Sequence, residues 1–169
     1  MNHWHTFIGI DPGLNGCFAI INTGVKPSIE VIDIPTVEIS VGKKKRRHID
    51  SHAVFKILRK CAGSGTKVFI EDVWSSPQMG VTSAFNMGFG LGVLHASIAG
   101  NMLSMERVRP QAWKKEFSLI GKEKGDSLRL SRELFPSADL SLKKHEGRAE
   151  ALLIAEYGRR MTDLRHSSE

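Results

Sequence analysis

The segment Thr6-Phe7-Ile8-Gly9-Ile10-Asp11-Pro12-Gly13-Leu14-Asn15-Gly16-Cys17-Phe18-Ala19-Ile20-Ile21-Asn22 decides the fold of this 169-residue chain. Two apolar runs, residues 6–10 and 17–22, flank a cluster of turn-forming residues. This pattern is typical of a β-hairpin, because Pro, Gly and Asn favour tight turns while the apolar runs favour buried strands. The hairpin places Asp11 at the exit of the first buried strand.

The rest of the chain continues as an α/β pattern. Strands are predicted at residues 28–34, 67–70 and 103–108. A helix capped by Asp50 or Ser51 is predicted to end near Gly63, and further helices are predicted at about residues 81–99, 111–117, 124–135 and 146–161. Residues 42–48 are predicted to be a basic loop. A right-handed crossover would bring the strand at 67–70 beside the first strand, on the edge away from its hairpin partner. The sequence therefore predicts one α/β domain with a mixed sheet flanked by helices, a core at about residues 6–160 and short flexible termini.

Composition points to a polyanionic partner. The chain has 24 Lys and Arg against 18 Asp and Glu, for a formal net charge of +6. An excess of positive charge favours nucleic acid or an anionic membrane surface. Cys17 and Cys61 lack the spacing of a metal site, and no signal peptide or membrane-spanning run is evident. We therefore expect a cytoplasmic protein with no membrane association.

Four carboxylates form the candidate chemistry. Asp11 and Glu71 follow two strands predicted to be parallel neighbours, and ligands of α/β sheets gather at that edge. Glu146 and Glu150 are four residues apart, on one face of the last helix near its N-terminus. Each feature alone is usually a turn or a solvated surface, so their joint placement carries the hypothesis. Clustered carboxylates favour Mg²⁺ or Mn²⁺, and a pair of such ions suits phosphodiester hydrolysis.

Four segments in order resemble the motifs of the RuvC family of Holliday junction resolvases: Ile8-Gly9-Ile10-Asp11-Pro12-Gly13, Val68-Phe69-Ile70-Glu71-Asp72-Val73-Trp74, Arg109 to Lys115 with Gly121 to Lys124, and Ala149-Glu150-Ala151-Leu152-Leu153-Ile154-Ala155. The resemblance implies an RNase H-like fold with a five-stranded mixed sheet, a homodimer, and paired nicks across a four-way DNA junction during recombination and repair. It also implies that Asp11, Glu71 and Glu150 are metal ligands. Lys114 and Lys124 would stabilise the charged transition state, and Trp74 would stack on an exposed base.

The last motif departs from the family pattern. That pattern usually has two Asp three residues apart, which here would fall on Gly147 and Glu150. Because glycine has no side chain to bind metal, we assign the fourth ligand to Glu146, with His145 as a weaker candidate. Two Mg²⁺ ions are expected in each active site, and Mn²⁺ is expected to substitute for them.

Most of the residues expected to contact DNA are basic. The run at residues 43–47 is either a solubilising loop or a phosphate-binding element. The full set of candidate DNA-binding residues is Trp74, Lys43, Lys44, Lys45, Arg46, Arg47, Lys114, Lys115, Lys122 and Lys124. The glycine-containing helix, with Phe85, Met87 and Phe89 and with Met79 just before it, is either a partner interface or core.

Three other functions compete with junction cleavage. A sugar kinase or actin-like ATPase also begins with an Asp-x-Gly hairpin, but such proteins need a second similar domain. A relative that cuts RNA or other branched DNA would use the same metal chemistry. A module that binds junctions without cutting them is disfavoured, because unneutralised carboxylates weaken DNA binding. The expected setting of a resolvase is the cytosol of a bacterium or of a phage-infected host.

Overall fold

The computed structural model describes residues 4–42, 44–123 and 125–167. In chain order the elements are β1 (Thr6–Asp11), β2 (Cys17–Asn22), β3 (Ser28–Asp33), β4 (Thr36–Val41), β5 (Lys44–Ile49), α1 (Ser51–Cys61), β6 (Thr66–Glu71), α2 (Val81–Gly100), β7 (Ser104–Val108), α3 (Pro110–Glu116), α4 (Asp126–Leu134), one 3-10 turn (Lys143–His145) and α5 (Glu146–His166). Of the two candidate cap residues, Asp50 and Ser51, Asp50 caps α1, since its carboxylate accepts from the Ala53 N–H at 3.0 Å. Within the described ranges, no helix has both the length and the apolarity to cross a bilayer.

The central sheet has the strand order β3-β2-β1-β6-β7. β1 is antiparallel to β2 and parallel to β6, and β6 is parallel to β7. This confirms the predicted five-stranded mixed sheet and the crossover that brings β6 beside β1. The central strands are continuous apolar runs because helices cover both of their faces.

Different helices cover the two faces of the sheet. On one face, Ile8 and Ile10 of β1 pack in a cluster that includes Val54 of α1 and Leu94 of α2. On the other face, α5 packs across β1 and β2, with α4 beside it. α5 is therefore the central helix of its layer, and its N-terminal end approaches the carboxyl end of β1.

Gly9 permits the close contact between α5 and β1. A Cβ atom at this position would lie 2.1 Å from the Ala151 carbonyl oxygen and 2.4 Å from the Ala155 nitrogen. Such distances are well inside van der Waals contact, so any side chain at position 9 would push the helix away from the strand. The backbone contact fixes the height of α5 over the sheet.

The predicted basic loop at residues 42–48 is wrong, because β4 and β5 form a two-stranded hairpin. Its register pairs Glu38 with Arg47 and Ile39 with Arg46. Gly42, with φ of +61°, lies at the turn between the strands. A run of Lys and Arg has low strand propensity by itself, but cross-strand pairing with β4 overrides that preference.

Arg148, in the first turn of α5, ties this helix to the sheet edge. Its Nε and Nη2 donate to the two carboxylate oxygens of Asp33 at 2.6 and 2.8 Å, and its Nη1 donates to Asp139 Oδ2 at 2.6 Å. The hydrogen bonds from Arg148 lower the pKa of Asp33. This ion pair therefore stabilises the N-terminal end of α5 in its position over the sheet.

We expect Arg148→Met to lower the free energy of unfolding by about 1 kcal/mol at pH 7, which is the lower end for charge-assisted bonds because Asp33 is largely exposed. The pKa of Asp33 is lower in the folded protein than its ordinary value of 3.8, so this stability exists above that value and disappears as the pH falls through the folded pKa. Urea denaturation at pH 7 and in acid measures the difference.

Arg129→Met is the matched control, because Arg129 pairs with Asp126 on the helix surface and its side chain is 73% exposed. It should change stability by less than about 0.5 kcal/mol. Equal losses in the two variants, or a loss at Arg148 that does not depend on pH, would contradict the role given to this ion pair.

Candidate active site

Asp11 and Glu71 lie side by side at the carboxyl ends of parallel strands. Asp11 is the last residue of β1 and Glu71 is the last residue of β6, and the register pairs Ile10 with Ile70. Both side chains emerge where the strands end and the covering helices leave an opening. The predicted juxtaposition of these two carboxylates is present in the structure.

α5 brings two more carboxylates to the same opening. Glu146 and Glu150 line a cleft of about 620 Å³ together with Asp11 and the turn that follows it. Gly147 lies between them, and a Cβ there would be 2.9 Å from Asp11 Oδ2 and 2.7 Å from the Asn15 carbonyl oxygen. The four-residue spacing places both glutamates on one stripe of α5, next to the stripe of Gly147 and Ala151 that packs against β1 and the turn after it.

The electrostatics of Asp11 show how much negative charge is gathered here. Burial and, to a lesser extent, the charges of Glu150, Glu71 and Glu146 together raise the pKa of Asp11 to about 8, while the charge of Lys114 opposes the rise. All four predicted carboxylates thus interact at one place. In the metal-free protein, Asp11 holds a proton near neutral pH because its ionised form is desolvated and repelled.

Glu71 has a hydrogen-bond partner that the sequence reasoning missed. The Nε1–H of the fully buried Trp113 donates to Glu71 Oε1 at 2.9 Å. Burial raises the pKa of Glu71, and this bond and the charge of Lys114 oppose the rise. A buried indole N–H requires an acceptor, and this requirement is the one signal that could have indicated a polar partner for Trp113. The bond fixes the orientation of the Glu71 carboxylate.

Lysines form the other walls of the cleft. Lys114 and Lys122 line it as the sequence suggested, and Lys144 lines it as well. Lys144 precedes α5 in a short basic run that the sequence reasoning passed over. The Lys114 ammonium also lies 5.1 Å from the centre of the Trp113 ring, so α3 supplies both a cation and an orienting donor. Lys124 lies outside the described residues.

His145 and Trp74 lie apart from the wall of the cleft. His145 is buried, and its Nδ1 lies 3.8 Å from Asp139 Oδ1 and 3.5 Å from the Leu142 nitrogen. This places its ring toward the segment before α5 rather than toward Asp11. Trp74 is 72% exposed beyond the end of β6, and the Arg107 guanidinium lies 5.3 Å from its ring centre.

The candidate DNA-binding residues of the hairpin differ in their surroundings. Lys44 and Lys45 are exposed near its tip, and Lys45 pairs with Glu38 at 3.4 Å. Arg46 is half-buried, whereas Arg47 reaches the turn after Asp11. Lys115 is exposed on α3, and Lys43 lies outside the described residues.

The donor set suits a hard divalent cation, although no three His, Cys, Asp or Glu side chains among residues 4–42, 44–123 and 125–167 form a compact ligand cluster. Carboxylates that repel each other are expected to stand apart without a cation between them. Mg²⁺ is usually held by one or two carboxylates with water and substrate phosphates, so a closed protein cage is not required. A bound cation would lower the raised pKa of Asp11, because its positive charge would favour the ionised carboxylate.

Comparison with known proteins identifies the fold. The structure of RuvC from Thermus thermophilus superposes with a TM-score of 0.60 at 15% sequence identity, covering 93% of this chain and 96% of that chain. T. thermophilus RuvC in complex with a Holliday junction substrate gives a TM-score of 0.60 at 14% identity, covering 92% and 96% of the two chains. No protein-family model and no curated protein sequence matches the chain. The chain therefore has the RNase H-like fold of RuvC, as the sequence motifs predicted, and this similarity is visible in structure rather than in overall sequence.

Because Asp11 is buried beside other carboxylates, replacing it with a neutral residue should stabilise the protein. Because the pKa of Asp11 is raised in the folded protein from 3.8 to about 8, the wild type loses stability as the pH rises through this range. Asp11→Asn removes the ionisable group, so we expect it to unfold at higher urea concentration in EDTA. Its advantage should grow from pH 5 to pH 9 and reach about 1–3 kcal/mol.

Glu133→Gln is the control, because Glu133 is an exposed acid on α4. It should leave the pH dependence of the wild type unchanged. If Asp11→Asn gains nothing at pH 9 relative to pH 5, the four carboxylates do not interact as the geometry indicates.

Proposed function

We propose that this protein is a magnesium-dependent, structure-selective endonuclease that resolves four-way DNA junctions by paired phosphodiester hydrolysis. The main support is that one open cleft at the carboxyl edge of the sheet gathers Asp11, Glu146 and Glu150 with Lys114 and Lys122. Acidic groups that can bind cations, next to lysines that can contact phosphates, suit metal-dependent phosphodiester hydrolysis. In this proposal residues 1–169 form a single nuclease domain that acts in the cytosol.

The similarity of fold adds support for the substrate. RuvC from T. thermophilus, whose chain is covered to 96%, has been solved with a Holliday junction substrate. In this chain the cleft lies at the carboxyl end of β1, beside the point where the strand order reverses, and ligands of α/β sheets bind at such points. A four-way DNA junction is therefore the first substrate to test, before other branched DNA or RNA.

In this proposal Asp11, Glu71, Glu146 and Glu150 hold two Mg²⁺ ions, with Mn²⁺ able to replace them. The bound ions would supply a water nucleophile and stabilise the leaving oxygen. Glu146 takes the place of the acid that the family pattern would put at position 147, because it lines the cleft and contributes to the raised pKa of Asp11. The direction of the His145 ring makes it a poorer choice.

Other side chains of the protein would orient the ligand carboxylates and offset the negative charge of the phosphate. Trp113 donates to Oε1 of Glu71 and so restrains the carboxylate, whose other oxygen would bind an ion in this proposal. Lys114 lies in the cleft wall, where its ammonium would offset charge that develops on a phosphate oxygen. Lys124 is proposed for a similar role on the basis of the sequence motif alone.

The DNA would lie across a surface formed by several elements. Lys44 and Lys45 at the tip of the hairpin, with Arg46, would contact phosphates, and Lys115 and Lys122 would extend this surface. Trp74 is exposed and backed by Arg107, which leaves its ring available to stack on an unpaired base.

α2 supports a homodimer, since its outward face is apolar. The helix contains no Asp, Glu, Lys or Arg. Val81, Phe85 and Phe89 are 87%, 68% and 47% exposed and recur every four residues along one stripe. Gly88 and Gly92 are exposed in the same region, and a Cβ at either would meet nothing within 4 Å. An apolar stripe interrupted by glycines lets a second helix approach closely, and a two-fold copy of the same stripe would cover it.

Cleavage of a synthetic four-way junction tests the activity, with linear duplex, single strand, flap and RNA substrates as controls. We expect symmetric paired nicks that need Mg²⁺ or Mn²⁺ and disappear in EDTA. We expect the cleavage rate to fall about 100-fold or more in each of four variants that still bind the junction: Asp11→Asn, Glu71→Gln, Glu146→Gln and Glu150→Gln. Each substitution removes the charge of a proposed ligand but little volume. Glu133→Gln is the matched control.

Each alternative function has its own result in this experiment. Tight junction binding without cleavage of any substrate would make the chain a binding module. Equal cleavage of flaps or RNA would show a broader nuclease. Full activity in Glu146→Gln would remove Glu146 from the ligand set while leaving the overall function intact.

Light scattering after gel filtration tests the dimer. We expect the wild type to be a dimer and Phe85→Lys to weaken association by about 100-fold, because a charge would be buried at the centre of the apolar stripe. Val25→Lys is the matched control, since Val25 is fully exposed in the loop between β2 and β3. A wild type that stays monomeric at high concentration, or a Phe85→Lys variant that dimerises normally, would exclude this interface.

A further inference from the structure

Arg47 contacts the turn that follows Asp11. Its Nη2 donates to the Leu14 carbonyl oxygen at 2.6 Å and its Nη1 donates to Asn15 Oδ1 at 3.2 Å. Its Nε lies 3.3 Å from Thr36 Oγ1 on the neighbouring strand. All three guanidinium nitrogens are therefore engaged within the protein, although the sequence alone suggested a contact with DNA.

The turn held by Arg47 touches the acidic site directly. The Asn15 carbonyl oxygen would lie 2.7 Å from a Cβ at Gly147, and the same Cβ would lie 2.9 Å from Asp11 Oδ2. Gly16, at the end of the turn, packs against the end of β1, since a Cβ there would be 2.0 Å from the Asp11 carbonyl oxygen. The turn is thus in contact with α5 on one side and with Arg47 on another, so a shift of the turn would move Asp11 relative to Glu146 and Glu150.

The base of the hairpin is firmly attached to the core, and this makes Arg47 a useful anchor. Ile49 lies two residues after Arg47, on the same face of β5. It is 5% exposed and packs so closely against α2 that it would contact any Cβ at Gly90. The His48 ring meets Phe89 edge-on with centres 5.4 Å apart, and the Asp50 N–H donates to the Pro35 carbonyl at 2.9 Å. The exposed lysines lie toward the tip, away from this fixed base.

We propose that Arg47 is a positioning residue, which holds the Leu14–Asn15 turn against α5 and thereby sets the position of Asp11 within the acidic site. This inference rests on the proposed nuclease function for its kinetic consequence, but the structural link itself does not. The two turn acceptors require a planar fork with two N–H groups, which arginine has and lysine lacks. The basic hairpin therefore has two roles along its length, with DNA contact near the tip and support of the site at the base.

Single-turnover cleavage and junction binding separate positioning from DNA contact. Arg47→Ala should lower the cleavage rate constant about 10- to 100-fold while the junction Kd changes less than about 3-fold, because small displacements of reacting groups cost rate rather than affinity. Arg47→Lys keeps the charge and should remain about as slow as Arg47→Ala. Arg46→Ala, next to it on the opposite face of β5, should instead raise the junction Kd and make it less sensitive to salt.

A thermal unfolding cycle in EDTA tests the link without relying on activity. Arg47→Ala, Asn15→Ala and the double variant should be non-additive, with the double variant losing less Tm than the two single variants combined. An additive cycle, or full recovery of cleavage in Arg47→Lys, would overturn the proposal. If the wild type cuts no substrate, the proposed function fails while the cycle still decides whether Arg47 holds the turn.

Discussion

The backbone contact between α5 and β1 is the constraint on which the rest of the site depends. Gly9 leaves no side chain between the strand and the helix, and Ala151 and Ala155 present only methyl groups. The helix axis is consequently held close to the sheet, and one turn earlier its backbone meets the Asp11 carboxylate at Gly147. A larger residue at the crossing would separate the acids of α5 from those of the strands. Core packing and site geometry are therefore the same set of contacts.

This geometry gathers negative charge at a cost to stability. Asp11 is largely buried beside three other carboxylates, which explains why its pKa rises to about 8. The protein offsets part of the cost with the Lys114 charge, the Trp113 hydrogen bond to Glu71, and the position of Glu146 in the first turn of α5, where the helix dipole favours an anion. The remaining repulsion is what a cation would relieve. Sites that retain unfavourable charge in the free protein are commonly functional, because function rather than stability maintains them.

Much of this arrangement could be predicted from the sequence. The buried runs of β1 and β6, together with the handedness of the crossover, placed Asp11 beside Glu71, and helical periodicity placed Glu146 with Glu150. The hairpin was not predictable in the same way, because its strands are held by cross-strand pairs and by Ile49 against Gly90. The donor to Glu71 was missed because Trp113 lies 42 residues away. The local pattern of apolar and polar residues was enough to predict most strands and helices. The partners of individual side chains depend on tertiary contacts between residues far apart in sequence, which a local pattern does not reveal.

Gly147 shows how a departure from a familiar motif can be forced by packing. The motif of the RuvC family would put an acid at this position, but here the Asn15 carbonyl and Asp11 Oδ2 occupy the space that a Cβ would need. The turn after Asp11 lies in that space with Arg47 bonded to its outer side. This packing leaves no room for an acidic side chain at position 147, whereas Glu146, one residue earlier, lines the cleft. If Glu146 is the fourth ligand, the glycine at 147, the turn bonded to Arg47 and the glutamate one residue earlier are linked by the same local contacts.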